Sequence, residues 1–345
     1  MISFAIIGTG NIGSRHARHI IENPNARLTA VCDINPDKAL LAREWNVPYY
    51  QDPQSFFEQV RADVINICTP NYLHLPHAVA ALAAGSHALV EKPMALSVKE
   101  CEEMIAASQM YHKKIFAVKQ NRYNPPIQIA KRLMNEQVLG KVYMVQVNCF
   151  WNRNEHYYQS GSWRGKRLQD GGCLFTQFSH FIDILYYLIG EVTATSGSIS
   201  NFLHRHNTDI EDTGSFILRN KQGAIVNFNF TTNAYQKNME GSITLMGSEG
   251  VLKIGGQYLN TIEYSQIKNT ELPRMNIQAK ENDYGTYQGS MSNHDKVIQN
   301  VIDVLEKNEK IMTSAEEGMK VISIIEDMYR AAQVLNIEET EEIKH

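Results

Sequence analysis

The chain has 345 residues, 43% of them hydrophobic, and a formal net charge of −4. That length suggests two domains with a sizeable core, and the mild negative charge, with no basic face, excludes general nucleic-acid binding. No apolar run reaches the ~18–20 residues that a membrane span requires, so no membrane partner is expected.

The five cysteines (Cys32, Cys68, Cys101, Cys149 and Cys173) are widely spaced and form no C-x-x-C pair. Such usage fits small core residues in a reducing compartment, not a disulfide frame or a zinc site. The opening "MISFAIIGTG" lacks the layout of a signal peptide and runs straight into a strand, so a cytoplasmic location is expected.

Residues 1–118 alternate strand-like and helix-like runs. The strands read as 3–8, 28–33, 63–69, 87–92 and 114–120, with "NIGSRHARHIIEN", "DKALLAREW", "LHLPHAVAALAAG" and "VKECEEMIAASQMYH" as helices between them. This order predicts parallel βαβ units and an α/β, doubly wound sheet, with ligand loops at one edge. The first domain is set at 1–120.

"GTGNIG" at 8–13 ends the first strand and opens a helix. Gly8 allows the tight turn and Gly10 lets backbone approach a pyrophosphate. Gly13 brings helix and strand close, so that Asn11 and Ile12 at the helix start face the phosphates. Asp33 follows 20 residues after Gly13 at the end of the second strand, where an acidic residue reads the ribose. Neither Arg nor Lys follows it in "CDINPDK", which favours NAD(H) over NADP(H), with Ile34 beside the adenosine. Two later loops should frame the cofactor: Thr69, Pro70, Asn71 and His74 in "TPNYLH", and Glu91 and Lys92 in "EKP". Gln120, closing the last strand, completes the set.

The pattern changes past residue 120. "NRYNPPIQIAKRL" opens a helix, and strands then dominate at 141–151, 193–203, 213–220, 223–235 and 241–256. The alternation Val226-Asn227-Phe228-Asn229-Phe230 fits a sheet with one buried and one wet face. The second domain, 121–335, is therefore expected to be α+β with a large, open, mostly antiparallel sheet. Helices near 293–308 and 313–335 close the chain, and 336–345 is an acidic tail. An open sheet face wants a symmetric cover, so a homodimer or homotetramer is expected.

Within this half, "DGGCLFTQFSHFIDILYYLIG" (170–190) reads as one helix buried nearly all round, yet it carries His180 and Asp183 one turn apart. Unpaired buried polar groups cost a few kcal/mol each. Asp183 either orients the His180 imidazole or caps a neighbouring backbone group, and Thr176, at i−4, is expected on the same helix face.

The stretch "WNRNEHYYQSGSWRGKR" (151–167) mixes arginine and aromatic residues densely. It is read as lining the substrate site or as a subunit contact. Arg122, Arg153 and Arg164 suit a carboxylate or diphosphate, while Tyr123 and Trp163 can stack on ring faces. Asn124 and Gln177 join them as polar candidates. The remaining histidines show no trusted metal spacing, and no metal is predicted.

Taken in order, "GTGNIG", Asp33, "CTPNYLH", "EKPMALS" and the helix with His180 resemble the Gfo/Idh/MocA family of oxidoreductases over nearly the whole chain. The resemblance implies a Rossmann domain followed by an open-sheet domain. It also implies that Lys92 and His180 act on a sugar or polyol hydroxyl. His180, whose ordinary pKa of ~6.5 lies near working pH, is the expected proton acceptor. Lys92 is expected to stabilise the developing negative charge and, if burial lowers its pKa, to relay the proton. Many members carry aspartate four residues before that histidine, where this chain has Thr176. With "WRGKRLQDGG" and "TQFSHFIDILYYLIG", the chain is similar to UDP-N-acetylglucosaminuronate 3-dehydrogenases, which implies a nucleotide-sugar substrate oxidised at C3 in surface-polysaccharide synthesis. A dehydrogenase of a free sugar or inositol-type polyol, and a non-catalytic NAD-binding regulator, remain the alternatives.

Overall fold

A computed structural model describes residues 1–272, 281–283 and 288–334. The first half runs β1 (Ile2–Ile7), α1 (Asn11–Glu22), β2 (Ala26–Cys32), α2 (Ala39–Glu44), β3 (Tyr49–Tyr50) and α3 (Pro53–Gln59). Then come β4 (Val64–Ile67), α4 (His74–Ala83), β5 (His87–Val90), α5 (Val98–Met110) and β6 (Ile115–Ala117). Its six strands are all parallel, in the order β3-β2-β1-β4-β5-β6. Helices cover both faces, so Val64, Ile65 and Ile67 of β4 are fully buried. The strand order reverses between β1 and β4. The loops after β1, β4 and β5 therefore meet above the crevice where such sheets hold ligands.

A short 3-10 turn at Gln120–Tyr123 leads into α6 (Pro125–Asn135), where Pro125 sits at the first turn. There follow β7 (Val142–Phe150), α7 (Glu155–Gln159), α8 (Arg167–Asp170), α9 (Cys173–Thr176), α10 (Ser179–Ile189), β8 (Val192–Ser200), β9 (Thr213–Asn220) and β10 (Ile225–Thr231). The chain continues through β11 (Glu240–Gly247), β12 (Gly250–Gly255), β13 (Thr261–Ile267), β14 (Glu281–Asp283) and β15 (Gln288–Met291). It closes with α11 (His294–Lys307), α12 (Ala315–Ala331) and β16 (Ala332–Val334).

Eight of these strands form the second sheet, ordered β13-β12-β11-β7-β10-β9-β8-β16. It is antiparallel except where β10 joins β7 and β16 joins β8. Phe216, Phe228 and Phe230 point inward and are buried, beneath α6, α10 and α12, which pack on one another. The opposite face carries a cross-strand row of Tyr264, Lys253, Thr244, Gln146, Asn227 and Ile217.

Four expectations need correction. The run 241–256 is a hairpin, not one strand: β11 and β12 turn at Ser248–Glu249. The expected helix of 170–190 is broken twice: Gly171 and Gly172, with φ values of +90° and +119°, part α8 from α9, and a second break at Gln177–Phe178 parts α9 from α10. A Cβ at Gly171 would lie 2.7 Å from Leu96 Cδ2, so the first break depends on glycine. The helix expected at 293–308, assigned by sequence to the second domain, is α11, and it packs beside α1 on the first sheet. The last helix stops at Ala331, where the chain turns into the edge strand β16. The acidic tail, 336–345, lies outside the described residues.

Candidate active site

The loops at the switch point and the elements around α10 enclose one cavity of about 650 Å³. At its first end Gly8 has φ +88°, and a Cβ there would meet Cys68 O at 2.6 Å. Gly13 lies so close to Gly8 O that a Cβ has no room, whereas a Cβ at Gly10 would meet nothing within 4 Å. The packing glycines are thus Gly8 and Gly13, and Gly10 leaves open space at the N-terminus of α1. Such a helix end is suited to phosphate charge.

Asp33 is held rigidly beside this turn. Its Oδ2 accepts from Thr9 N–H at 2.7 Å and Thr9 Oγ1 at 3.0 Å, and its Oδ1 accepts from Asn35 N–H at 2.9 Å. A carboxylate has about four acceptor sites, which leaves capacity for ribose hydroxyls. Asn11, Ile12, Asp33 and Ile34 all line the cavity, as do Thr69, Pro70, Asn71, His74, Glu91, Lys92 and Gln120. Gly13 does not; it packs the helix onto the strand.

Two of these loop residues also tie the structure together. His74 spans two loops, with Nδ1 2.7 Å from Pro93 O and Nε2 2.9 Å from Thr69 O. Asn71 Nδ2 reaches into the second half, donating to Asp170 O and Thr176 Oγ1, both at 2.8 Å.

Lys92 and His180 face the far end of the same cavity. Lys92 Nζ donates to Thr176 O at 2.6 Å. Burial, reinforced by Lys119, Arg153 and Arg164 against the opposing charge of Glu91, lowers its pKa to about 8. Burial and then the Lys92 and Lys119 charges press the His180 pKa well below its ordinary value, so the ring is neutral at neutral pH. Between them these settings give an amine that is still mostly charged at neutral pH but loses its proton far more readily than an ordinary lysine, beside a neutral imidazole, which is equipment for moving a hydroxyl proton.

Glu91, behind Lys92, is buried among two histidines. Asn66 Nδ2 donates to His16 Nδ1 at 2.9 Å, so the His16 proton is on Nε2, facing Glu91 Oε1 at 2.9 Å. His294 Nε2 lies 3.4 Å from the same oxygen. Burial works to raise the Glu91 pKa, but His16 and His294 outweigh it and hold the carboxyl well below its usual range. The trio has metal-ligating chemistry, yet the His16 proton already fills its contact with the carboxylate. Neither His16 nor His294 was singled out in the sequence, because their partner is 75 or more residues away.

Arg153, Trp163, Arg164, Thr176 and Gln177 also line the substrate end. Arg153 is fixed by Gln177 Oε1 at 2.7 Å and Asn152 O at 2.6 Å, with its guanidinium over Trp151 at 5.0 Å and Tyr157 at 5.4 Å. Arg164 lies over Tyr157 at 4.4 Å and Trp163 at 5.3 Å. With Lys92 they make this end cationic and aromatic.

Four candidates are not at the cavity. Arg122 is a fully buried strut: Nη2 meets Asp183 Oδ1 at 2.8 Å, Nε meets Oδ2 at 3.0 Å, and Nη1 reaches Met312 O and Glu317. Asp183 therefore neither orients His180 nor caps backbone; it neutralises Arg122. Asn124 donates to Tyr258 O and accepts from Asn293 Nδ2. Tyr123 packs on the core beside α11. Thr176 does reach the site, but from α9, as the break before α10 puts it on a separate helix from His180.

A family model described as "Oxidoreductase family, NAD-binding Rossmann fold" matches residues 2–119, and the Gfo/Idh/MocA C-terminal domain model matches 127–253. The WlbA dehydrogenase of Bordetella pertussis, solved with NADH and UDP-GlcNAcA, superposes with a TM-score of 0.86 at 30% identity, over 96% of each chain. The Chromobacterium violaceum WlbA, solved with the same two molecules, also gives 0.86, at 31% identity over 96% of this chain and 93% of that one. A curated relative, the 2,7-anhydro-N-acetylneuraminate hydratase of Mediterraneibacter gnavus, is 28% identical over 73% of this chain and 67% of its own length.

Proposed function

As a member of the Gfo/Idh/MocA oxidoreductase family that uses NAD, this chain, we propose, oxidises the C3 hydroxyl of UDP-N-acetylglucosaminuronate during synthesis of surface-polysaccharide sugars. The observation that carries the substrate class is the cationic, aromatic end of the cavity, where Lys92, Arg153 and Arg164 converge beside Trp163 and Tyr157. A small neutral polyol has no use for three cations, whereas a carboxylate and a diphosphate do. The likeness to the two WlbA enzymes supports the same reading.

Asp33 accepts the ribose hydroxyls, and the Gly10 opening at the α1 N-terminus takes the pyrophosphate. Bound there, NAD would supply the hydride acceptor. Lys92 takes the hydroxyl proton, since an amine with a pKa near 8 is a better-matched acceptor than an imidazole pressed well below 6.5. His180 holds the reacting hydroxyl in line from the other side. Thr176, in the position where many relatives carry aspartate, supplies its carbonyl to Lys92.

The test is to incubate the purified protein with NAD and, separately, UDP-N-acetylglucosaminuronate, UDP-N-acetylglucosamine and inositol, following NADH absorbance. NADH formation with the uronate, and much less with the other two, is expected. Turnover of inositol in preference would replace this reading with the polyol one, and cofactor binding without any turnover would favour the regulator.

A further inference from the structure

Asp170, a carboxylate that sequence motifs did not single out, sits behind the cavity wall at a junction of three loops. It is 1% exposed and does not line the cavity. Its Oδ1 accepts from Thr176 Oγ1, and its Oδ2 accepts from Gly165 N–H at 2.8 Å. A hydroxyl has one proton to give. The Asp170 carbonyl also lies 3.0 Å from Thr176 Oγ1, but the carboxylate contact is charge-assisted, so it takes the proton. Thr176 Oγ1 is then left to accept from Asn71 Nδ2, and the Thr176 carbonyl receives Lys92 Nζ.

We propose that Asp170 is a positioning residue for Lys92 and for the substrate loop. Through Thr176 it fixes the carbonyl on which the Lys92 amine rests. Through Gly165 it anchors the turn that carries Trp163 and Arg164 over the cavity. Gly165 makes the second link possible: its φ is +71°, and a Cβ there would lie 2.6 Å from Thr208 Cγ2.

This role rests on Lys92 acting on the substrate hydroxyl. It is tested in the full-length chain with D170N, T176V and the double variant. Asparagine keeps the size of Asp170 but weakens its hold on the hydroxyl, and valine removes the hydroxyl alone. Two readouts are taken: kcat and KM with NAD and UDP-N-acetylglucosaminuronate, and the rate at which an amine-acylating reagent labels each lysine, followed by peptide mass spectrometry.

Each single variant should lose roughly ten- to hundredfold in kcat, the scale of a small misplacement of a reacting group, with KM for NAD unchanged. The double variant should be no worse than the poorer single one, as expected for residues acting as one unit. The labelling rate of Lys92 should shift several-fold while that of exposed Lys141 stays constant. Unchanged kcat in T176V, multiplying losses in the double variant, or unchanged Lys92 labelling would each overturn the proposal. If D170N does not fold, T176V decides alone. If the wild-type chain turns over no uronate, the substrate assignment fails, and Lys92 labelling still decides the positioning role.

Discussion

Burial sets Lys92 well away from its ordinary chemistry. With a pKa of about 8, a growing fraction of the amine is unprotonated as pH rises through 8. Only that form accepts a proton, so kcat/KM is expected to climb through this range and then level off. Lys92→Arg keeps a positive charge that does not titrate and should lose the ~10²–10⁴ typical of proton transfer; retained activity in that variant would assign Lys92 a purely electrostatic role. Asp33 makes a separate prediction. Hydrogen bonds to a charged group contribute about 1.5–3 kcal/mol, so Asp33→Ala should weaken NAD binding by roughly ten- to a hundredfold in calorimetry. Gly8, Gly10, Gly13 and Asp33 stand out in the sequence because the motif is local, on two consecutive strand ends. Arg122 and Asp183 do not, because their pairing spans 61 residues. A buried arginine and a ligand-binding arginine look alike until the fold brings the partner in.

At the scale of elements, α10 explains why an apolar helix carries His180 and Asp183 together. The histidine faces the cavity, and the aspartate, three residues on, locks the helix to the 3-10 turn through Arg122, which in turn reaches Glu317 of α12. Breaking a buried pair by removing one partner typically costs about 3–5 kcal/mol. Asp183→Ala should therefore lower the unfolding free energy obtained from urea titration by that amount and shift the midpoint down, while R122M/D183L, which removes both charges, should recover most of it. A midpoint equal to wild type in the single variant would show that the pair is not a strut. The start of α10 is not legible because apolar periodicity continues across both Gly171–Gly172 and Gln177–Phe178. Hydrophobic spacing reports which side chains are buried, and it is silent on the left-handed turn that parts α8 from α9 and on the second break before α10. The β11–β12 hairpin was missed for a related reason: the Gly247–Gly250 turn is flanked by equally apolar runs, and its closure is set by pairing across the turn.

For the whole molecule, five of the six strands of the first sheet were legible in the alternation of the sequence; the two-residue edge strand β3, the α3 that follows it and the return of α11 to that sheet were not. Residues His294–Lys307 form a good amphipathic helix, but which of two sheets receives it depends on packing against α1 rather than on its own pattern. Around α10 the two halves share the cavity: Asp33, Glu91 and Lys92 reach it from the first, and Arg153 and Arg164 from the second. The face of the second sheet left open among the described residues, with Ile217 45% and Tyr264 50% exposed, fits a symmetric partner. Light scattering should give a dimer or tetramer that Ile217→Glu reduces in size; a wild-type monomer would leave that face as an ordinary wet surface.

The central claim is that the joined cavity directs hydride from C3 of a uronate-bearing nucleotide sugar to NAD, and isotopic substitution tests it most directly. The protein would be supplied with NAD and UDP-N-acetylglucosaminuronate deuterated only at C3, and the extracted cofactor weighed by mass spectrometry. The account predicts reduced cofactor carrying the deuterium, together with a product lacking it. Reduced cofactor without deuterium, or none at all, would contradict it.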